Sequence, residues 1–205
     1  MHEIYDITDE ISDEILEFFR HIDTSTIGHL TTDGYIPGIS AQTGTARLIG
    51  RVMTVSLPKT DGGVLYHALV KSRPGDVIVV SMPEHTDYAC WGELRTIAAL
   101  VKNVAGMITD GCVTDIAALR ALPFPVFATG ISPITTCKQD LAGTINAPVT
   151  LAGQEVLPGS LAIGDEDGLF ILSPAKAAEI MQPALEKQKR DAAKRDELLA
   201  KLRAG

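Results

Sequence analysis

Aromatic residues make up only 5% of the 205-residue chain, too few for the stacked-base platforms that hold single-stranded nucleic acid. Positive charge is also in short supply. Lys and Arg number 18 against 26 Asp and Glu, a formal charge of -8, so nothing draws the chain electrostatically toward DNA, RNA or anionic lipid. Cysteine is scarce and odd in number. Cys90, Cys112 and Cys137 form no CxxC pair, which argues against a disulfide framework or structural zinc and for buried, reduced thiols. No apolar run approaches the ~20 residues that cross a bilayer. The opening stretch MHEIYDITDEISDEI carries acids where a secretory signal needs an apolar centre. A cytoplasmic protein with no nucleic-acid or membrane partner is expected. Also missing are GxGxxG after a strand, a GKS/GKT phosphate loop, HExxH and GxSxG, so dinucleotide, P-loop, zinc-protease and serine-hydrolase chemistry lack support.

What remains is the composition of an ordinary globular protein, 45% hydrophobic and 21% charged. The length suits one domain spanning 1–205. Residues 11–20 set Ile11, Ile15, Leu16 and Phe19 on one helical face. Asp23-Thr24-Ser25 could cap a second helix running to Leu30. Arg47–Leu57 reads as a strand interrupted by Gly50, and Gly62–Lys71 as a helix with Leu65, Ala68 and Leu69 inward. Pro74-Gly75-Asp76 turns into VIVVSM, a continuous apolar run of the buried-strand type. Trp91–Val101 is expected to be helical, Val104–Ile108 a strand, Asp115–Leu122 a short helix and Pro125–Thr129 a strand. Residues 130–147 read as a long loop rich in Gly, Ser, Thr and Asn, a length that is often functional. A second turn-and-strand unit, Pro158-Gly159-Ser160 followed by LAIG and GLFILS, echoes the first. Ser173-Pro174 marks a helix start. The resulting helix, 174–205, is so polar that it reads as a solvated helix laced with i,i+4 pairs, the alternative being a stripe packed on a neighbouring subunit.

Residues 90–115, CWGELRTIAALVKNVAGMITDGCVTD, concentrate the chemistry. Gly92-Glu93-Leu94-Arg95 opens a helix, so free amides and the positive dipole end are available to a carboxylate or phosphate. A glycine there also simply eases a turn. Asp110-Gly111 ends a strand, and Asp115 begins the next helix, where it can act as N-cap or as a ligand for a hard metal ion. Thr114 could cap instead and release Asp115. His29, His67 and His85 show no ligand spacing. Lys138 in the long loop could meet an anion or be solvated, and the acids of GDEDG (164–168) suit a turn.

The ordered set TGTARLIGRVMTV, RPGDVIVV, WGELRTIAA, NVAGMITDGCVTDIAALRALPFPVFATGISP and TINAPVTLAGQEVLPGSLAIGDEDGLFILSP resembles the regulator of ribonuclease activity A family. That family includes metal-dependent 4-hydroxy-4-methyl-2-oxoglutarate and 4-carboxy-4-hydroxy-2-oxoadipate aldolases. The resemblance implies an α/β fold, a ββα swivelling-domain (phosphohistidine-domain-like) sandwich of mixed sheets with flanking helices. It implies a homotrimer or a hexamer with sites between subunits, and Mg²⁺ or Mn²⁺ held at Asp115 largely through waters. The amides from Gly92 to Arg95 (Gly92, Glu93, Leu94, Arg95) would hold the carboxylate of a small 2-oxo acid, and Glu93 would be the acid linked to the catalytic water. The implied activity is retro-aldol cleavage of a 4-hydroxy-2-oxo diacid or oxaloacetate decarboxylation. The implied alternative is a non-catalytic regulator that binds a ribonuclease.

Four places depart from that pattern. An arginine precedes the aspartate in the aldolases, and here the pair is Thr114-Asp115. Ala118 stands where an acid is usual. The aspartate-asparagine element before the second helix reads Asp61-Gly62. Threonine is neutral and short and cannot replace a guanidinium fork, so activity is lost, redirected, or rescued by Arg95, at a position where the family often has leucine. Thr114 is expected at the substrate, with Lys138 and Asn146 as further contacts.

Overall fold

The apolar run from Val77 to Val80 becomes the centre of a sheet. A computed structural model describes residues 2–44, 47–58, 60–84, 86–138 and 142–204. In chain order its elements are β1 (Glu3–Ile4), α1 (Asp13–Phe19), α2 (Thr24–Gly28), β2 (Ser40–Ala41), β3 (Leu48–Ser56), α3 (Gly63–Lys71), β4 (Asp76–Ser81), β5 (Ala89–Trp91) and α4 (Glu93–Val101). They continue as β6 (Gly106–Thr109), β7 (Cys112–Val113), α5 (Ile116–Ala121), β8 (Val126–Ala128), β9 (Gly130–Ile131), β10 (Thr144–Ile145), β11 (Val149–Leu151), β12 (Gln154–Val156), β13 (Leu161–Asp165), β14 (Gly168–Leu172) and α6 (Pro174–Ala204).

Strands β3, β4, β6 and β8 lie side by side and parallel. Parallel neighbours need crossovers, and α3, α4 and α5 supply them. Because successive side chains alternate faces, Ile78 and Val80 of β4 pack with Val64, Leu65, Ala99 and Leu119 of the helices. Val77 and Val79 face the other way, onto Val149, Leu151 and Val156 of the β11–β12 hairpin. Every residue of β4 is buried, which is why its sequence runs apolar without alternation. The β13–β14 hairpin extends the sheet along the first half of β3. It also carries a third core, in which Phe170 and Leu172 meet Phe19, Ile27, Ala177 and Ile180 of α1, α2 and α6. The architecture is mixed α/β, sheets with flanking helices.

A second short strand follows each of β4, β6 and β8. These strands, β5, β7 and β9, form their own parallel sheet in that order. The repeating unit is therefore strand, strand, helix, and the sequence reading lacks the second strand of each unit, β5, β7 and β9. Trp91 ends β5 instead of opening α4. The stretch 130–147 contains β9 and β10, whose two-residue lengths carry no periodicity of their own and exist through pairing with β7, β1 and β3.

The GDEDG acids form the β13–β14 turn, where the Asp165 carboxylate accepts from the Thr24 amide and hydroxyl and from the Asp167 amide. Ser173 caps α6 as expected, its hydroxyl accepting from the Lys176 amide at 3.2 Å. Only the first third of α6 is buried, through Ala177, Ile180 and Ala184. The distal part is solvent-facing and laced by Lys187–Asp191, Lys194–Glu197 and Lys201–Glu197 pairs. No helix among the described residues is long and apolar enough to cross a membrane.

Candidate active site

Parallel pairing of β5 with β7 sets the register of two strand-to-helix turns. Ala89 pairs with Cys112 and Trp91 with Val113, and the Thr114 amide donates to the Trp91 carbonyl at 2.9 Å. The next residues on the two paths, Gly92 and Asp115, therefore come together. The Glu93 amide donates to Asp115 Oδ2 at 3.0 Å. Asp115 sits at the N-cap position of α5 but makes no side-chain cap there, and its backbone is left-handed, φ 52° and ψ 37°. That conformation costs a non-glycine residue ~1–2 kcal/mol, and such outliers cluster at working sites. Its effect is to point the carboxylate at the start of α4 instead of into its own helix. Gly92 is extended, a conformation open to any residue, so its requirement is steric. A Cβ there would lie 2.5 Å from Asp115 Oδ2 and 2.8 Å from Thr114 Cγ2.

A cavity of about 510 Å³ opens beside this junction, with Tyr66, Trp91, Leu94, Arg95, Thr114, Asp115 and Thr136 among its walls. Trp91 is fixed by its Nε1–H donating to Thr96 Oγ1 at 2.8 Å and by stacking on Phe124 at 6.3 Å between ring centroids. The amides of Leu94 and Arg95 are the second and third of α4, where no intrahelical acceptor exists, and Gly92 has no side chain to cap them. Fewer amides are free at this helix start than the sequence implies, because the Glu93 amide is already spent on Asp115. Thr114 lines the cavity with its methyl against Gly92. The Arg95 side chain is half-buried and lies in the cavity wall, with Nη1 donating to the Cys90 carbonyl at 2.7 Å and Nη2 to the Gly62 carbonyl at 3.3 Å. Burial pushes its guanidinium below the ordinary value, yet an arginine stays protonated at neutral pH.

The remaining sequence candidates divide. The Glu93 side chain is exposed and is not part of the cavity wall. Lys138 lies over the ring of Tyr66 at 5.8 Å, which brings it to the cavity's edge. Asn146 does not join the site, since its amide side chain donates to the Tyr5 carbonyl next to β1 and β10. Asp110 is buried away from the cavity, where its carboxylate accepts from the Met82 amide at 2.7 Å and burial pushes its pKa up. It does not share a pocket with Asp115. His85 and residues 139–141 of the long loop lie outside the described residues. Thr135 and Thr136, missed in the sequence, line the cavity because the segment after β9 bridges to Ala89 and Asp61. Only the three-dimensional path reveals that.

A single carboxylate is what Mg²⁺ or Mn²⁺ requires when waters and substrate oxygens complete an octahedron. Asp115 meets that requirement. One oxygen is held by the Glu93 amide, in space that the missing Cβ of Gly92 leaves open, and the other makes no hydrogen bond among the described residues. No cluster of three or more His, Cys, Asp or Glu side chains that would suit a fully protein-ligated ion occurs among the described residues.

The fold and site define a class: ββα-repeat α/β domains with a cavity where two parallel strand ends turn into helices. The chain belongs to the RraA-like (Aldolase/RraA) family, whose model matches residues 7–171. It is 32% identical over 148 residues, 72% of this chain and 70% of the other, to a Halalkalibacterium halodurans protein whose name, 4-hydroxy-4-methyl-2-oxoglutarate aldolase, is provisional. The structure of the RNA-processing inhibitor RraA from Thermus thermophilus superposes with a TM-score of 0.67 at 29% identity, covering 74% of this chain and 92% of that one. A Streptomyces coelicolor RraA-family structure matches in fold with a TM-score of 0.80 at 24% identity, over 92% of this chain and all of the other.

Proposed function

We propose that this protein is a divalent-metal-dependent lyase acting on small 2-oxo acids, by retro-aldol cleavage of a 4-hydroxy-2-oxo diacid, by decarboxylation of oxaloacetate, or by both. The observation that carries the reading is the junction of Gly92 and Asp115. It sets a carboxylate with one unspent oxygen, two uncapped helix amides and a guanidinium around one cavity.

In this reading Asp115 holds Mg²⁺ or Mn²⁺, and the bound ion supplies Lewis acidity at the keto oxygen of the substrate. The amides of Leu94 and Arg95 bind the substrate carboxylate, helped by the positive end of α4. Arg95 supplies positive charge from the cavity wall to the anionic substrate, in the absence of an arginine at Thr114. Glu93, solvent-facing at the first turn, exchanges a proton with the substrate through water. Buried Trp91 gives the cavity an apolar wall. A second copy of the chain is proposed to cover the apolar surface of α3 and α4, where Tyr66, Val70, Leu94, Ile97 and Val101 are all exposed.

Purified protein assayed with oxaloacetate and with a 4-hydroxy-2-oxo diacid, in Mg²⁺ and in EDTA, tests the proposal. Turnover is expected only with metal, and its absence on every such substrate removes the lyase reading. Thr114, together with the likeness to a structure named as an RNA-processing inhibitor, favours one other reading, a regulator that binds a ribonuclease. Inhibition of a ribonuclease by the Asp115→Asn variant as strongly as by wild type would select it.

A further inference from the structure

Two of the departures seen in the sequence meet in space. A Cβ built on Gly62 would lie 2.9 Å from Arg95 Nη2 and 2.6 Å from Thr136 Oγ1. The guanidinium therefore folds into room that exists only because position 62 has no side chain. Gly62 has φ −85°, so backbone conformation does not demand glycine there. Space does.

The same corner holds unspent hydrogen-bonding capacity. Arg95 gives one N–H to Cys90 and one to Gly62, and a guanidinium has five in a planar fork. Thr136 Oγ1 is shielded from solvent and has no hydrogen-bond partner among the described residues, a state that costs free energy unless a ligand relieves it. The backbone of Thr136 is held in place, its amide donating to the Ala89 carbonyl at 3.0 Å. A guanidinium can only donate, and a threonine hydroxyl can donate beside it. An oxygen acceptor satisfies both, and the positive charge of the guanidinium favours a carboxylate over a neutral one. Asp115 and the α4 amides are at the helix start, and this corner lies where α3, α4 and the loop after β9 converge.

We infer that Gly62, Arg95 and Thr136 form a second anion subsite in the cavity, that it takes the distal carboxylate of a 2-oxo diacid, and that Gly62 determines this specificity by leaving Arg95 room. The inference rests on the proposed binding of 2-oxo acids. It adds which end of the ligand this corner reads and which residue permits it.

Titration calorimetry of the full chain in Mg²⁺, with pyruvate and with 2-oxoglutarate as probes, tests it. The wild type is expected to bind 2-oxoglutarate on the order of tenfold more tightly than pyruvate, the scale of a charge-assisted pair. Gly62→Ala should displace Arg95 and reduce that ratio about fivefold or more. Thr136→Val, which keeps the shape and removes the hydroxyl, should reduce it in the same direction and decides the matter if Gly62→Ala folds poorly. A wild-type ratio near one, or a ratio that neither substitution changes, overturns the subsite while leaving the 2-oxo acid reading in place. Failure of both acids to bind the wild type removes that reading and the subsite with it.

Discussion

Replacing Gly92 by alanine is the sharpest perturbation available at the site. The backbone there is extended, φ −155° and ψ −165°, so alanine meets no conformational penalty and the whole effect is contact. The new Cβ would lie 2.5 Å from Asp115 Oδ2, 2.8 Å from Thr114 Cγ2 and 3.4 Å from Asp115 Cγ. Ordinary carbon contacts lie near ~3.5 Å, so the carboxylate must retreat by about 1 Å. From 3.0 Å, the bond to the Glu93 amide then stretches beyond hydrogen-bonding range. Overpacking costs ~1–3 kcal/mol. Loss of a hydrogen bond to a charged group adds ~1.5–3 kcal/mol when the site is dry, and less here because Asp115 is exposed. A net loss of about 2 kcal/mol corresponds to a fall in Tm of ~4–8 °C for a domain of this size. Misplacing the metal anchor by an ångström should lower kcat/KM by about 10². Differential scanning calorimetry and the oxaloacetate assay read the two effects. Wild-type Tm together with wild-type turnover in Gly92→Ala would refute the claim that this glycine sets the carboxylate.

Asp115→Asn keeps the acceptor for the Glu93 amide but loses the charge. It should leave Tm within a few degrees while abolishing Mg²⁺-dependent turnover and Mn²⁺ binding, measured by electron paramagnetic resonance of the free ion. Burial pushes the Cys90 thiol up to about 11, so it stays protonated through neutral pH and gains thiolate only as pH rises toward that value. A chromogenic disulfide reagent at pH 8 should label the exposed Cys137 and reach Cys90 only on denaturation. Trp91→Phe removes the donor to buried Thr96 Oγ1 and should cost ~1–3 kcal/mol in urea unfolding. Because Trp91 is the chain's one tryptophan, it also erases the tryptophan fluorescence. Val101→Glu, at a position 78% exposed on α4, should shift the protein to a smaller species in light scattering. An unchanged mass would show that this face is not where copies meet.

Local pattern made much of this protein readable in advance. The 3.6-residue spacing of Leu65, Ala68 and Leu69 marked α3, the unbroken apolar run marked β4 as a strand covered on both faces, and Ser173-Pro174 marked the start of α6. Each depends on residues near one another in the chain, where periodicity and capping chemistry act directly. The family motifs likewise singled out Gly92 and Asp115. Tertiary structure decided the rest. Whether Asp115 capped its own helix or faced outward turned on a left-handed backbone and on the pairing of β5 with β7. Asp110, at a strand end near Asp115 in sequence, and Asn146, a weaker candidate from the long loop, engage the Met82 amide and the Tyr5 carbonyl instead. The two-residue strands β9 and β10 exist only through pairing with distant segments, and the cavity wall at Thr136 follows from the path they set. Gly62, Arg95 and Thr136 come from three separate stretches. No local signal links them, because their relation is one of shared volume, and shared volume arises only when the chain has packed.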